Sequence, residues 1–361
     1  MPDAELEAWL RLGLIPRLGP VAFRKLLSSF GSPEAVLDAS TTALTNAVGA
    51  SLAAAIAAGP DADLLAASLD WADEDNNRLM TLADNDYPGA LLEISDPPPL
   101  LYLKGQTALL HHEAIAIVGS RNATPQGVAN AEAFARELSS DGFAIVSGLA
   151  LGIDAAAHRG GLQETGSSVA VVATGLDTVY PARNRSLAHE LAQQGLLVSE
   201  FALGTRPVAG NFPRRNRLIS GLSLGVLVVE AAIESGSLIT ARYAVEQGRE
   251  VFAIPGSVHS PVSRGCHALI KQGAKLVEVA ADIIEEFGRT AGKLGAAATQ
   301  SPQSKHPELL RVIGFDPVDL DTICARSGLT AENASAMLLE LELEGTVVRI
   351  AGGRFQQVRQ P

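Results

Sequence analysis

The sequence predicts an α/β protein whose centre is an open, mostly parallel β-sheet with helices on both faces. From about Ile115 onward, short β-branched runs alternate with helical stretches, and the runs are AIAIV, FAIVS, VAVVAT, LLVSE, GVLVVEA, EVFAI and AKLVEV. This alternation is typical of βαβ units with right-handed crossovers. The chain has 361 residues, too many for one ordinary core, and its 47% hydrophobic content indicates large buried cores. We therefore expect two or three domains.

Residues 1–80 are predicted to form a small helical domain. Short Ala- and Leu-rich helices are broken there by Gly and Pro, in LEAWLRLGLI, GPVAFRKLLSSFG, SPEAVLDAS and ASLAAAIAAG. The central domain is predicted at 81–288, and its first segment, DNDYPGALLEISDPPPLLYLKG, is expected to be an ordered, extended connector. Pro97, Pro98 and Pro99 forbid a helix in this segment and disfavour a central strand.

The end of the chain has a separate organisation. Residues 289–305 belong to the stretch RTAGKLGAAATQSPQSKHP, which has the small, polar composition of a flexible linker. Residues 306–361 then have the pattern of three helices and a hairpin, which is the order of a winged helix-turn-helix. We expect a C-terminal winged-helix domain.

Glycines follow nearly every predicted strand of the central domain. They occur in GSRNATPQG, GLALGID, GLD, AIESGSLIT and PGS. In an open parallel sheet, ligands bind beyond the carboxyl ends of the strands. Glycine there permits a close approach of ligand to backbone, and each following helix presents free N–H groups and a positive dipole end. The pattern predicts an anion site at this rim, although a single glycine-containing turn needs no such explanation.

Two common nucleotide-binding motifs are absent from the sequence. The first turn offers Gly119, Ser120 and Arg121, and then Gly127, which does not match G-x-G-x-x-G. A G-x-x-x-x-G-K-[ST] motif is absent as well. NAD binding and ATP hydrolysis are therefore disfavoured, and no cofactor is predicted.

Candidate catalytic groups are few. His158 and Asp154 are spaced as neighbours on one helix and could act in acid–base chemistry, although a structural pair is favoured. Ser235 and Ser237 are predicted to cap a helix and to contact a phosphate. No nearby His/Asp order indicates that either serine is a nucleophile.

An acid-free, arginine-rich segment lies within a chain of formal net charge −12. Residues 201–229 contain no Asp or Glu and contain Arg206, Arg214, Arg215 and Arg217. If the segment forms a helix, Arg214 and Arg217 share one face and Arg215 points elsewhere, so one arginine is expected to be structural. Beside a glycine-rich rim, the cluster favours polyphosphate binding. Phe212 could stack on a base, with a place in the core as the alternative.

These stretches resemble the DNA-processing protein A family (DprA, also called Smf). The matching stretches cover roughly residues 80–280 and are DNDYPGALLEISDPPPLLYLKG, IAIVGSRNATPQG, IVSGLALGIDAAAHRGGL, VVATGLDTVYPARN, FPRRNRLISGLS, VVEAAIESGSLITARYAVEQGREVFAIPGS and LIKQGA. The resemblance implies a Rossmann-like domain without known enzymatic activity that binds single-stranded DNA. It also implies a homodimer that helps to load a RecA-type recombinase, chiefly during natural transformation.

The resemblance and the glycine-rich rim together give a set of expected DNA-binding residues: Gly119, Ser120, Arg121, Phe212, Arg214, Arg215, Asn216, Arg217, Gly236 and Ser237. Leu269 and Ile270 are the expected dimer contact. The sequence departs from the family pattern in GCHALIKQGA, where Cys266 and His267 replace the usual Thr and Asn. This departure leaves the local loop and the nearby dimer contact open.

The flanking domains give weaker functional signals. IPRLGPVAFRKLLSSFGSPEAVLDAS looks like a helix-hairpin-helix (SAM-like) segment, but Arg17 stands where a first hairpin glycine is usual. Either structural support or DNA contact fits this domain. The recognition-helix candidate of the winged helix carries Glu332, Glu340, Glu342 and Glu344 and no Lys or Arg, so it would repel phosphate. Its wing is basic, with Arg349, Arg354 and Arg359. Docking to a protein or within the chain is favoured for this domain.

The leading hypothesis is a cytoplasmic, non-enzymatic single-strand binder. The start MPDAELEAWL lacks the order of a signal peptide, and no apolar run is long enough for a membrane span. Cys266 and Cys324 lack ligand spacing, so neither a disulfide framework nor a metal site is predicted. One alternative is a nucleotide-binding enzyme or sensor on a Rossmann-like scaffold, with His158 or Glu230 as general base. A second alternative is a sequence-specific regulator that acts through the winged helix.

Overall fold

The computed structural model describes residues 3–289, 305–350 and 352–358. The predicted linker, apart from its two end residues, lies outside the described residues. The first part of the chain consists of six helices, which are α1 (Asp3–Gly13), α2 (Pro20–Phe30), α3 (Pro33–Leu37), α4 (Thr41–Val48), α5 (Ala50–Ala58) and α6 (Ala62–Ala72). Side chains of Ser32, Ser40 and Asp61 accept backbone N–H groups at the starts of α3, α4 and α6.

The helical part has its own apolar core and a turn that does not depend on glycine. Trp9 stacks on Phe23 at 5.6 Å between ring centroids, inside a cluster of buried side chains from α1 to α5. Arg17 adopts a φ of 68°, in the region that favours glycine. The turn before α2 therefore has a left-handed backbone conformation at this position, although the residue is an arginine.

The central part contains a nine-stranded sheet and eight α-helices. In chain order these are β1 (Asn77–Thr81), α7 (Gly89–Leu92), β2 (Leu100–Gly105), β3 (Ala114–Val118), α8 (Pro125–Ser140), β4 (Ala144–Ser147), α9 (Ile153–Leu162), β5 (Ser168–Val171), α10 (Arg185–Gln194), β6 (Leu196–Ser199), α11 (Asn211–Gly221), β7 (Gly225–Val228), α12 (Ser237–Glu246), β8 (Glu250–Ala253), α13 (Arg264–Lys271), β9 (Lys275–Leu276) and α14 (Ala281–Glu286). The spatial order is β1-β2-β6-β5-β4-β3-β7-β8-β9. Pairs β1–β2 and β2–β6 are antiparallel and all others are parallel. The predicted open, mostly parallel sheet is confirmed.

Two strands of this sheet were not expected from the sequence. β1 begins before residue 81, the predicted first residue of the central domain. β2 lies within the segment expected to be a connector, and it pairs with β6. Pro97, Pro98 and Pro99 end directly before this strand, so no ladder hydrogen bond is lost to them. The rest of the segment is ordered, since the Tyr87 hydroxyl donates to the Pro98 carbonyl at 2.8 Å.

Alternate residues of the strands supply two cores, one on each face of the sheet. Along β3, Ala114, Ala116 and Val118 belong to the core under α7, α11 and α12, whereas Ile115 and Ile117 belong to the core under α8, α9 and α14. The strand order reverses between β3 and β7, because the chain builds outward from β3 on one side and from β7 on the other. In open α/β sheets this reversal opens a crevice at the carboxyl ends of the strands.

The last part has the predicted winged-helix order. Its elements are α15 (Pro307–Ile313), β10 (Val318–Asp319), α16 (Leu320–Ser327), α17 (Ala331–Leu343), β11 (Val347–Ile350) and β12 (Arg354–Gln357). Asp319 caps α16 by accepting the Thr322 N–H at 2.7 Å. Helix α17 is the predicted recognition helix, and its Glu332 and Glu340 are exposed. Arg359 lies outside the described residues.

Among the residues that the structure describes, no single helix is long and apolar enough to cross a membrane. Helices α5 and α6 taken together have the length and composition of a membrane span, but the two helices meet at a bend of 68°.

Candidate nucleic-acid interface

A cavity of about 580 Å³ lies at the carboxyl ends of β3 and β7, where the strand order reverses. Its wall includes the turn after β3, at Gly119 and Ser120, and the turn after β7, at Ala232 and Ser235. The position is the one at which ligands of open α/β sheets are bound. Three of the five glycine-containing turns predicted from the sequence, those after β3, β4 and β7, line this cavity, whereas GLD and PGS do not.

Three helices begin at the cavity, and for α9 and α11 no side chain among the described residues caps the start. These are α9 after Gly152, α11 after Gly210 and α12 after Gly236. The first turn of a helix leaves backbone N–H groups without partners and carries the positive end of the helix dipole. In contrast, α8 is capped, because the Thr124 hydroxyl accepts the Gly127 N–H at 3.0 Å. At α12, Oγ of Ser235 accepts the Ser237 N–H, so only the starts of α9 and α11 favour an anion in the cavity.

Close backbone packing explains two glycines at the cavity. A Cβ on Gly119 would lie 2.7 Å from Cγ1 of Ile153, so glycine lets the end of β3 contact α9. Gly152 has a φ of 76°, and a Cβ there would lie 2.3 Å from the Ser120 carbonyl oxygen. Both glycines hold the cavity walls together, and neither position admits a side chain.

Arg121 is exposed at the cavity mouth and lies over an aromatic ring. Its Cζ is 5.3 Å from the centroid of Phe212, a half-buried residue in the first turn of α11. The ring of Tyr180 lies 5.8 Å from the same ring of Phe212. None of the ion pairs found within the described residues involves Arg121. A cation that is free to bind phosphate thus stands beside two rings on which a base could stack.

Arg215 forms the floor of the cavity and is almost fully buried. Its Nη1 donates to the Gly148 carbonyl at 2.6 Å and to the Val171 carbonyl, and its Nε donates to Oδ1 of Asn216 at 3.2 Å. Burial lowers the pKa of Arg215 to about 10. Asp154, also on the floor, accepts the Ala150 N–H at 3.3 Å, and burial raises the pKa of its carboxyl. Arg215 is therefore a bound element of the floor that still presents positive charge to the cavity.

Arg214 and Arg217 share one face of α11, as predicted, but this face does not line the cavity. Arg217 is buried, pairs with Glu200 and places its Nε 3.1 Å from Oδ2 of Asp96. Arg214 is partly exposed, and its Nη2 lies 3.2 Å from Oε2 of Glu200. Burial raises the pKa of Glu200, while the two arginines act in the opposite direction. Both arginines therefore contact the Glu200 carboxylate on a face of α11 that does not line the cavity, and their contact with DNA stays a prediction.

The remaining predicted residues meet at the start of α12. Nδ2 of Asn216 donates to the Gly236 carbonyl at 3.4 Å. The hydroxyls of Ser235 and Ser237 are 2.7 Å apart, and the Ser237 N–H donates to Oγ of Ser235 at 3.3 Å. The cavity therefore brings together most of the predicted set, namely Gly119, Ser120, Arg121, Phe212, Arg215, Asn216, Gly236 and Ser237.

Sequence reasoning left some lining residues out of the predicted set. Asn122, Glu234 and Thr240 line the cavity, and none was singled out as a ligand. Asn122 follows Arg121 directly, and Glu234 lies in the turn that carries Ser235. The positions of Asn122 and Glu234 in those two turns were the sequence signal that could have identified them as lining residues. Glu234 places an exposed carboxylate at one side of the mouth.

His158 and Glu230, the candidate bases of an enzyme, have structural roles. His158 is fully buried, its Nε2 accepts the Leu149 N–H at 3.2 Å, and its Nδ1 lies 2.8 Å from Oγ of Ser168. Burial lowers its pKa to about 3, so it is neutral near pH 7. Glu230 accepts the N–H and the hydroxyl of Thr124 at 2.9 and 2.6 Å. Neither side chain lines the cavity.

Leu269 and Ile270 lie on α13, away from the cavity, and pack half-buried against the core. Cys266 is buried, with Sγ 3.6 Å from the Val228 carbonyl, and burial raises the pKa of its thiol to about 12. His267 places Nε2 3.0 Å from the Gly256 carbonyl. Cys266 therefore contacts β7, and His267 contacts the turn after β8. Among the described residues, no group of three or more His, Cys, Asp or Glu side chains is placed to hold a metal ion.

Fold and site define a Rossmann-like protein with a cavity at the switch point of its sheet, flanked by a helical and a winged-helix domain. Residues 78–288 match the model of the family described as DNA recombination-mediator protein A. Residues 3–61 match the DprA-like N-terminal HHH domain, and residues 283–353 match the DprA winged helix domain. The chain belongs to the DNA recombination-mediator protein A family.

Curated relatives and solved structures agree with this assignment. The chain is 44% identical to Protein Smf of Escherichia coli over 295 residues, which is 79% of each chain. It is similar to the crystal structure of DNA processing protein A from Streptococcus pneumoniae, with a TM-score of 0.68, 36% identity, and coverage of 79% of this chain and 98% of that chain. It is also similar to a structure of DNA processing protein A from Helicobacter pylori described by its single-stranded DNA binding mode. That match has a TM-score of 0.53, 34% identity, and coverage of 58% of this chain and 95% of that chain.

Proposed function

We propose that this chain binds single-stranded DNA in the cavity between β3 and β7. The observation that carries the proposal is the exposed guanidinium of Arg121, 5.3 Å from the centroid of the Phe212 ring, at the mouth of a cavity that the starts of α11 and α12 line. Phosphates would bind Arg121, and a base would stack near Phe212 and Tyr180. Such contacts tolerate any sequence, and they do not require duplex DNA.

The bound strand would be handed to a RecA-type recombinase, chiefly during natural transformation. The family description as a recombination mediator supports this step, as does the single-stranded DNA named for the Helicobacter pylori relative. The recombinase assembles on DNA inside the cell, so the proposed action is cytoplasmic. The test is recombinase loading on a single strand coated with single-strand binding protein. The full chain should accelerate loading, Arg121→Ala should not, and equal rates with and without the chain would refute the proposal.

We also propose a homodimer that is formed through Leu269 and Ile270. Both residues lie on α13, next to β9, the last strand of the sheet. A pair of chains would present two cavities to one strand, which raises the effective concentration of the second site. We also propose that the chain is divided into a helical domain at 1–80, a central domain at 81–288, a linker at 289–305 and a winged-helix domain at 306–361. The acidic winged-helix domain would dock to a protein or within the chain.

We propose that the chain acts without catalysis of its own. The alternative, a nucleotide-binding enzyme or sensor, needs a general base in the cavity, and His158 and Glu230 are occupied elsewhere. Incubation with a panel of nucleotides tests this alternative. Turnover that disappears in Arg121→Ala would favour the enzyme over the mediator.

A further inference from the structure

Large apolar side chains are exposed beside the cavity mouth. Val208 is 56% exposed and directly precedes the lining residue Ala209. Ile233 is 62% exposed, and both of its neighbours in the sequence line the cavity. Val208 follows β6 and Ile233 follows β7, so they approach the mouth from different loops. Exposed apolar residues that gather around a cavity indicate a binding surface more strongly than scattered ones do.

The same rim continues to an aromatic side chain. Tyr180, in the loop after β5, is exposed and lies 5.8 Å from the ring of Phe212 inside the mouth. We define the apolar rim as Tyr180, Val208 and Ile233. It adjoins the cavity through Phe212 and Ala209, and its members Val208 and Ile233 lie outside the set of residues assigned above to DNA.

The charges around the rim indicate which side of a strand would face it. Arg121 and Arg206 are exposed near Phe212 and Val208, and they attract phosphate. Glu234, beside Ile233, is exposed and repels phosphate. A strand that leaves the cavity would therefore keep its backbone on the arginine side and turn its bases toward Ile233.

We propose that the apolar rim contacts the bases of single-stranded DNA outside the cavity. The side chains of Val208 and Ile233 are aliphatic, so they would contact bases and not phosphates. The inference rests on the proposed function and adds a second, uncharged component to it. Base contacts add affinity without releasing counterions, so they leave the salt dependence unchanged. An abasic strand, which keeps its phosphates, cannot make these contacts.

The test compares a fluorescent oligothymidine with an abasic strand of equal length, over a salt series. Val208→Ser/Ile233→Ser in the full chain removes aliphatic surface that the bases would cover, and it should bind oligothymidine roughly tenfold more weakly than the unmodified protein. Its affinity for the abasic strand and its salt slope should not change. The matched control is Val21→Ser/Leu92→Ser, which replaces two residues that are 69% and 53% exposed away from the cavity. Equal unfolding midpoints establish that both variants fold.

The outcomes separate the rim from the cavity. Unchanged affinity of Val208→Ser/Ile233→Ser for oligothymidine would overturn the inference, while Arg121-dependent binding would leave the proposed function intact. Loss of recombinase binding with intact DNA binding would assign the rim to a protein partner, which also overturns the inference. If the unmodified protein binds neither strand, the proposed function fails together with the inference.

Discussion

Arg217 and Glu200 form an ion pair in which both side chains are buried, at 4% and 2% exposed. Asp96 forms a second ion pair with Arg217, with its Oδ2 3.1 Å from Nε of Arg217. These contacts join the middle of α11 to the residue after β6 and to the segment before β2. They therefore hold the helix that carries Phe212 and Arg215 in place over the sheet.

Removal of one partner of this pair should destabilise the fold. Arg217→Ala leaves the buried Glu200 carboxylate without its principal partner, and we expect a loss of about 3–5 kcal/mol in the free energy of unfolding. Urea denaturation measures the loss. The matched control is Arg214→Ala, whose partly exposed guanidinium also contacts Glu200 and should contribute less than about 1 kcal/mol. Equal midpoints for the two variants would contradict this account of α11.

A methyl group added at Gly148, next to Arg215, should also destabilise the fold. A Cβ on Gly148 would lie 2.4 Å from Nη1 of Arg215, a buried group that is held by two carbonyls. Gly148→Ala should therefore lower the free energy of unfolding by about 1–3 kcal/mol. Gly236→Ala is the control, because within the described part of the chain no atom lies within 4 Å of its added Cβ. A stable Gly148→Ala protein would mean that Arg215 moves freely.

Acid should destabilise the protein through His158. Its pKa is near 6.5 in the unfolded chain and about 3 in the folded one, so the unfolded state binds the proton first. The stability that neutral His158 contributes is lost as the pH falls between these values, at about 1.4 kcal/mol per pH unit. Raised carboxyl pKa values, as at Glu200, act in the opposite direction. The difference between the unmodified protein and His158→Gln isolates the effect, and ring NMR signals of His158 that titrate near pH 6.5 would contradict it.

Charge on α13 should dissociate the proposed dimer. Leu269→Glu/Ile270→Glu places two carboxylates at the expected contact, where an apolar interface cannot solvate them. Light scattering should report a dimer for the unmodified protein and a monomer for the variant. The neighbouring Lys271→Glu, at an exposed position, is the control and should remain a dimer. A dimer that survives the double substitution would place the interface elsewhere.

Local patterns in the sequence predicted much of the fold and the cavity. β-branched runs predicted the parallel strands, and glycine after most of these runs predicted the rim, because both depend on neighbouring residues. β1 and β2 were missed because their antiparallel pairing is set by residues far away in the chain. The partners of Arg217 were missed for a similar reason. Glu200 lies directly before the acid-free segment, and Asp96 is 121 residues from Arg217 in the sequence.

The most direct test of the central claim is the affinity of Arg121→Ala for fluorescent single-stranded and duplex oligonucleotides across a salt series. We expect the unmodified protein to prefer the single strand, and Arg121→Ala to bind it more weakly with a salt slope that is smaller by about 1. Arg11→Ala, at an exposed position on α1, is the charge-matched control and should bind normally. Equal affinities and slopes for Arg121→Ala and the unmodified protein would contradict the claim that DNA binds at this cavity.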